Sequence, residues 1–318
     1  MTKYLITGVA GFVGSSIAEV LLERGEDVRG VDNFVTGRRT NIEQFLKKMD
    51  FREADLRDAV AMRSACEGVE IIFHEGALPS VPRSVKEPAP SHDCNVNGTF
   101  NLLEAARATG VRRIIYAASS SAYGNQPGMP RRESMTPAPI SPYAVQKLTG
   151  ELYMKSYWQV YGMETACLRY FNIFGPRQAP DSPYSGVMAK FILQMLRGER
   201  PTILGTGEQG RDFTHIANAV SANTLAAAAP KEKIGGKTFN VACGERHTLN
   251  ETYELLAKLL KFPHPAQFGP PRLGDITDSE ADISAAREAF GYEPVVGFEE
   301  GLKRTVDWFR ESFARQVG

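Results

Sequence analysis

Tyr143 and Lys147 are the residues best suited to chemistry, four apart in the run Ser141-Pro142-Tyr143-Ala144-Val145-Gln146-Lys147. On a helix that spacing puts both side chains on one face. A phenol is a poor base near neutrality, with an unperturbed pKa of about 10. A neighbouring ammonium and a helix N-terminus both favour the phenolate. Ser141 is a good N-cap and Pro142 a good first helical residue, so Tyr143 is expected to open a helix. Upstream, Ser119-Ser120-Ser121 follows a strand-like run and supplies hydroxyls that can share the proton and hold a substrate oxygen. Such a set moves a proton on an alcohol while a hydride goes to nicotinamide. The Tyr-Lys spacing alone is common on helix surfaces, and it gains meaning only beside a cofactor site.

That site is written at the start of the chain. The strand-like KYLIT runs into Thr7-Gly8-Val9-Ala10-Gly11-Phe12-Val13-Gly14. Gly8, Gly11 and Gly14 allow backbone N–H groups to approach a pyrophosphate, and Phe12 and Val13 open a helix whose N-terminus is positive. The third glycine permits close packing of helix on strand. Asp32 ends the next strand, where an acid accepts hydrogen bonds from ribose hydroxyls and repels a 2′-phosphate, which favours NAD over NADP. Arg38 and Arg39 stand close by and could accept such a phosphate. Asn33 follows Asp32. Asp55-Leu56 ends a third strand, where a carboxylate could meet the adenine amino group. Glu75-Gly76-Ala77, after His74, ends a fourth with small residues that let backbone pass a ligand.

Elements must position these residues. Strands are expected at 3–7, 27–32, 50–54, 70–74, 112–118, 165–170 and 238–241. Helices are expected at 12–24, 58–67, 93–109 and 142–161. Strand alternating with helix implies a doubly wound α/β fold with a parallel sheet, of the Rossmann type. Beyond Gly175-Pro176, the stretches 176–186 and 263–279 are rich in Pro, Gly, Asp and Ser and read as loops. Helices near 186–197, 216–229, 248–260 and 298–313 suggest a smaller mixed α/β lobe. The expected division is a nucleotide-binding domain over 1–176, with a return strand near 238–241, and a substrate lobe over 177–318.

Composition narrows the partners. Among 318 residues, Lys plus Arg number 37 and Asp plus Glu number 37, so no broad basic surface is expected for nucleic acid or anionic membrane. Cys66, Cys94, Cys167 and Cys243 lie far apart without a CxxC pair, which argues against a disulfide framework and points to a reducing compartment, the cytoplasm. No apolar run is long enough to span a bilayer. His74 reads as a strand end. His92, His215, His247 and His264 read as loop or edge residues without metal-ligand spacing, so no metal site is expected.

Taken together, TGVAGFVG, Asp32-Asn33, SSSAYG, SPYAVQK, LRYFNIFGPRQ and GEQGRDFTHI resemble the extended short-chain dehydrogenase/reductase family, in its nucleotide-sugar epimerase branch. The resemblance spans nearly the whole chain. It implies NAD as cofactor and a UDP-sugar as substrate. It implies Tyr143 as base, Lys147 as its partner and Ser119 as the catalytic hydroxyl, with Ser120 and Ser121 close enough to compete. It places Asn172 at the sugar or its phosphates, Arg211 and Arg272 on the diphosphate, and Asp275 on the uridine ribose. Related dehydratases carry an Asp-Glu pair where Ser120 and Ser121 stand, and related decarboxylases a Glu at the Ser121 place. What remains is oxidation and re-reduction at one carbon, a 4-epimerisation. In relatives restricted to plain hexoses a Tyr occupies the place of Ser279, and a small residue there leaves room for an N-acetyl group. Ser80, in Ala77-Leu78-Pro79-Ser80-Val81-Pro82-Arg83-Ser84, could hydrogen-bond the sugar. The expected substrate is UDP-N-acetylglucosamine/UDP-N-acetylgalactosamine, with UDP-glucose/galactose and UDP-uronic acids as alternatives, although no cation for a uronate can be assigned from sequence. The different-class alternative, a non-catalytic NAD-binding sensor, should have lost Tyr143 or Lys147. The resemblance also implies a homodimer through a four-helix bundle, with helices 93–109 and 142–161 supplying it and Leu148, Leu152, Tyr153 and Trp158 serving core and partner.

Overall fold

The structure, a computed structural model, describes residues 2–179, 186–271 and 278–317, with side chains of the last helix to Ala314. Seven strands form one sheet: β1 (Lys3–Thr7), β2 (Asp27–Asp32), β3 (Asp50–Glu53), β4 (Ile71–His74), β5 (Arg113–Ser119), β6 (Glu164–Tyr170) and β7 (Lys237–Val241). Their order is β3-β2-β1-β4-β5-β6-β7, and every pairing is parallel. Each lies within one residue of its expected bounds. The apolar runs are buried on both faces, as a parallel sheet between helices requires.

Successive side chains serve opposite layers. Ile6 and Val28 join Ile17, Ala18 and Leu21 of helix Phe12–Glu23 and Ala219 and Ala222 of helix Ile216–Ala228. Leu5 and Val31 join Met62, Leu102, Leu103 and Met154 from helices Ala59–Cys66, Gly98–Thr109 and Pro142–Tyr161. Each fully buried Leu or Ile contributes about 1.5–3 kcal/mol. Helix Ile216–Ala228 therefore packs on the sheet against Phe12–Glu23, although its position in the chain suggested the smaller lobe.

The expected helix 93–109 divides into a π-helical turn, Asp93–Asn97, and an α-helix, Gly98–Thr109. Within the turn, buried Asn95 bonds the Leu78 N–H and C=O and the Gln146 side chain, ties that a 3.6-residue pattern does not reveal.

The smaller lobe packs helices Val187–Leu196, Leu249–Leu260 and Phe298–Val317 around Phe191, Ile192, Leu256, Leu302 and Phe309. Thr248 and Glu251 close a reciprocal capping box. Its strands are two or three residues long: Thr202–Leu204 with Gln267–Gly269, and Gly210–Arg211 between His247–Thr248 and Asp278–Ser279. Two of them lie in the stretch that composition marked as loop, since strands this short carry no periodicity.

His215 also departs from expectation. It is buried, packs against the Phe174 ring, and its Nδ1 accepts from the Ala217 N–H to cap the following helix. Among the described residues no helix is long and apolar enough to cross a membrane, and no cluster of His, Cys, Asp or Glu could hold a metal.

Candidate active site

The strand order reverses between β1 and β4, and their carboxyl ends part there to leave a crevice. Gly8 after β1 and Gly76 after β4 face each other across it. A Cβ added to Gly8, whose φ is +69°, would lie 2.7 Å from the Gly76 Cα and N. A Cβ on Gly14 would lie 2.3 Å from the Gly8 carbonyl oxygen. Gly11 is the N-cap of helix Phe12–Glu23 and offers no capping side chain, so the first N–H groups of the helix stay open to an anion.

Asp32, 7 % exposed, accepts from the Ala10 N–H at 2.9 Å and the Phe34 N–H at 2.8 Å. Burial pushes its carboxyl pKa up, opposed by those N–H groups. Each oxygen keeps a lone pair for a ribose hydroxyl. A cavity of about 460 Å³ runs from Gly8, Gly11, Phe12, Val13, Gly14 and Asp32 past Gly76, Ala77 and Ser80 to Ser119, Tyr143 and Lys147. A Cβ-free crevice, an uncapped helix start and a buried acceptor at the next strand end fit a dinucleotide.

Asn33, Asp55 and Leu56 line a smaller recess beside Asp32. The Asp55 carboxylate is engaged by Arg57 at 2.7 Å and by the Asn33 amide at 2.8 Å, and Arg57 holds it far below the usual carboxylate range. It borders the smaller recess with much of its acceptor capacity already used. Arg38 lines the large cavity, while Arg39 stacks on Phe34 and reaches Glu53.

At the other end, Ser141 caps helix Pro142–Tyr161 by accepting from the Ala144 N–H, with Pro142 in the first turn. The Tyr143 N–H, otherwise orphaned in that turn, donates to Ser84 Oγ at 3.0 Å. The Lys147 ammonium, 4 % exposed, donates to the Ala117 carbonyl at 2.7 Å and lies over the Tyr116 ring. Burial pushes Lys147 down to about 8 and Tyr143 up to about 12. A hydrogen bond with Ser119 opposes the Tyr143 shift, and the Glu75 carboxyl adds to it. Desolvation thus opposes the phenolate that a neighbouring ammonium and a helix start favour. Ser119 lines the cavity and accepts from the Ser121 hydroxyl at 2.9 Å. Ser120 and Ser121 open a 3₁₀ turn that leaves the cavity wall.

The structure adds residues that spacing did not single out. Ser84 steadies Tyr143, and Arg83 lines the cavity beside Ser80. Ser80 caps the short helix Val81–Lys86 with φ +105°, accepting from the Arg83 N–H. The Glu75 side chain, read only for its backbone, accepts from the Tyr170 hydroxyl at 2.9 Å. His74 is held between Thr7 at 2.7 Å and Thr99 at 2.9 Å, and burial pushes it down to about 3.

A second cavity of about 470 Å³ lies in the smaller lobe, lined by Thr202–Leu204, Gln209, Arg211 and Phe213 among others. Asn172, Ile173, Gln178 and Gly186 line both cavities. Asn172, with φ +36°, donates to Ser279 Oγ at 3.0 Å. Ser279 is 8 % exposed and pairs in register with Arg211. Asn172 lines both cavities and Arg211 the second, while Ser279 is buried behind them, bonded to Asn172 and paired with Arg211. Arg272 and Asp275 lie outside the described residues.

Comparison with known proteins agrees with this geometry. Residues 4–242 match the NAD dependent epimerase/dehydratase family. The chain is 38 % identical to UDP-glucose 4-epimerase of Mycolicibacterium smegmatis over 97 % of its length and 98 % of that relative. It superposes with TM-score 0.93, at 36 % identity, on the Thermotoga maritima UDP-glucose 4-epimerase bound to UDP-glucose, covering 98 % of this chain and 100 % of the other. A UDP-N-acetylglucosamine 4-epimerase from Methanobrevibacter ruminantium, bound to UDP-N-acetylmuramic acid, matches with the same TM-score of 0.93 and identity of 36 %, over 98 % of this chain and 99 % of that one. With a glycine crevice, a ribose acid and a Tyr-Lys pair in one cleft, the chain belongs to the NAD dependent epimerase/dehydratase family, among the extended short-chain enzymes that include the nucleotide-sugar 4-epimerases.

Proposed function

We propose that the enzyme interconverts UDP-N-acetylglucosamine and UDP-N-acetylgalactosamine by oxidation and re-reduction at C4 of the sugar. The observation that carries the substrate choice is Ser279. It is small, buried and hydrogen-bonded to Asn172, which lines both cavities. A serine there leaves space beside the sugar for an N-acetyl group.

Tyr143 takes the proton of the 4-hydroxyl and later returns it, with Ser119 hydrogen-bonded to the same oxygen. Lys147 brings a positive charge to the cavity that Tyr143 lines and is itself steadied by the Ala117 carbonyl. Gly8, Gly11, Gly14 and Asp32 would hold NAD, which supplies a reversible hydride acceptor at the Tyr143 end of the cleft. For epimerisation the sugar must turn over while the nucleotide stays fixed. Arg211, in the wall of the second cavity, suits the diphosphate because guanidinium matches phosphate oxygens. Arg272 and Asp275 are assigned to the diphosphate and the uridine ribose. Ser120 and Ser121 offer no acid for elimination, which supports epimerisation over dehydration.

UDP-glucuronate is the second reading, favoured by Arg83, which lines the cavity beside Ser80 and pairs with Glu87 at 3.5 Å. Incubation with UDP-N-acetylglucosamine, UDP-glucose and UDP-glucuronate in turn, followed by separation of the epimers, tests the choice. Fastest turnover of the N-acetyl sugar supports the Ser279 reading. Turnover of UDP-glucose or UDP-glucuronate without it overturns that reading.

A homodimer is proposed through helices Gly98–Thr109 and Pro142–Tyr161. Phe100, Val145, Leu152 and Val160 are 41 %, 50 %, 60 % and 66 % exposed on them, an apolar surface that water disfavours. Trp158 is already engaged within the subunit, against Gly235 and Gly236. Leu152→Asp should convert a dimer to a monomer in light scattering.

A further inference from the structure

Glu75 is an acid in the catalytic compartment that the proton transfers do not use. It follows β4 and lines the same cavity as Tyr143 and Lys147. Its Oε1 accepts from the Tyr170 hydroxyl at 2.9 Å, and the Tyr170 oxygen accepts from the Asn223 amide at 2.6 Å. The same amide nitrogen donates to the Ala219 carbonyl at 2.8 Å. The chain of bonds runs one way. Because Asn223 donates to Tyr170, the hydroxyl hydrogen of Tyr170 points to Glu75, which is met as an acceptor. A carboxylate is an acceptor in both oxygens, so the network favours the anion.

The groups facing Glu75 are few. Lys147 from helix Pro142–Tyr161 is the cation, Tyr143 on the same helix is neutral when protonated, and Tyr170 on β6 stays protonated because burial pushes its phenol far up. His74, one residue before on β4, is held neutral by burial. Asn223 carries no charge. Burial pushes Glu75 up to about 7, opposed by the Tyr170 hydrogen bond and by Lys147.

We propose that the Glu75 carboxylate, when ionised, favours the oxidised, cationic nicotinamide over the neutral reduced ring in the compartment of Tyr143 and Lys147. The nicotinamide must reach that compartment, because hydride leaves the carbon whose hydroxyl proton goes to Tyr143. An anion there disfavours retention of the hydride after the first half of the cycle. Hydride and proton then return to the sugar together, and no electrons are lost to solution.

The test compares the affinities of the apoprotein for NAD⁺ and NADH, because their ratio fixes the potential of the bound cofactor. Glu75→Gln keeps shape and removes charge. At about pH 8, above the Glu75 pKa of about 7, the variant should bind NAD⁺ about tenfold more weakly relative to NADH, which raises the bound potential by about 30 mV. At about pH 6 the parent carboxyl is protonated, and the two proteins should converge. Tyr170→Phe should shift the ratio in the same direction by less. An unchanged ratio at about pH 8, or an equal change at both pH values, overturns the proposal. If Glu75→Gln weakens both forms of the cofactor equally, Glu75 only shapes the site and the proposal also fails. No sugar substrate enters this measurement, so it stands or falls apart from the choice of UDP-N-acetylglucosamine.

Discussion

The cofactor end and the substrate end of the cleft are assembled by different means. Gly8, Gly11 and Gly14 belong to one strand-turn-helix unit, and Asp32 and Gly76 close strands that flank the same crevice of a rigid sheet. Asn172, Arg211 and Ser279 are scattered along the chain and meet through strands of two residues. The first end is fixed by close backbone approaches that leave no room for a Cβ at Gly8 and Gly14, so it is intolerant of change. The second depends on single side chains, so its preference can be retuned without disturbing the fold.

The comparison can be broken at its most sensitive point first. Tyr143→Phe keeps the ring and removes the transferable proton, so kcat should fall about 10²–10⁴-fold while NAD content is retained. Near-normal turnover would remove Tyr143 from the chemistry. Gly14→Ala forces a methyl group to within 2.3 Å of the Gly8 carbonyl oxygen. It should cost about 1–3 kcal/mol in thermal unfolding and release bound NAD, as overpacking does. An unaltered, NAD-loaded protein would contradict the description of the crevice.

Ser279→Tyr should retain NAD binding, at a cost of about 1–3 kcal/mol for a large side chain at a buried site, while lowering kcat/KM for the N-acetyl sugar about tenfold or more relative to the plain hexose. Equal losses on both sugars would mean that Ser279 only supports Asn172. The smallest expected effect is in pH. Burial sets Lys147 at about 8, so its ammonium is present below that value and is lost above it. Turnover should decline as pH rises through about 8, and a profile that stays flat to the alkaline side would contradict the role of the Lys147 charge.

The cofactor end was legible because its signals are local. A glycine turn must follow a strand and precede a helix, and the apolar runs of the sheet are continuous, so strand bounds fell within one residue. Ser141 and Pro142 announced the start of the catalytic helix by capping chemistry alone. Less was legible where tertiary contacts decide. Helix Ile216–Ala228 has the same apolar texture whether it covers the sheet or the smaller lobe. The strands Gln267–Gly269 and Asp278–Ser279 are too short to show a period. Glu75 was taken for a backbone position, since nothing near it in sequence predicts Tyr170 and Asn223 as its partners. Sequence neighbours of Tyr143 favour an acidic phenol, and the opposing effect of burial is visible only in the structure.

The most direct test of the account is to mix a catalytic amount of the purified protein with UDP-N-acetylglucosamine and follow the sugars by chromatography and nicotinamide absorbance together. The account predicts that UDP-N-acetylgalactosamine accumulates to a ratio that is the same from either epimer, with no growth of NADH beyond the bound cofactor. NADH that grows with each turnover, or a sugar mixture that never contains the 4-epimer, would contradict it.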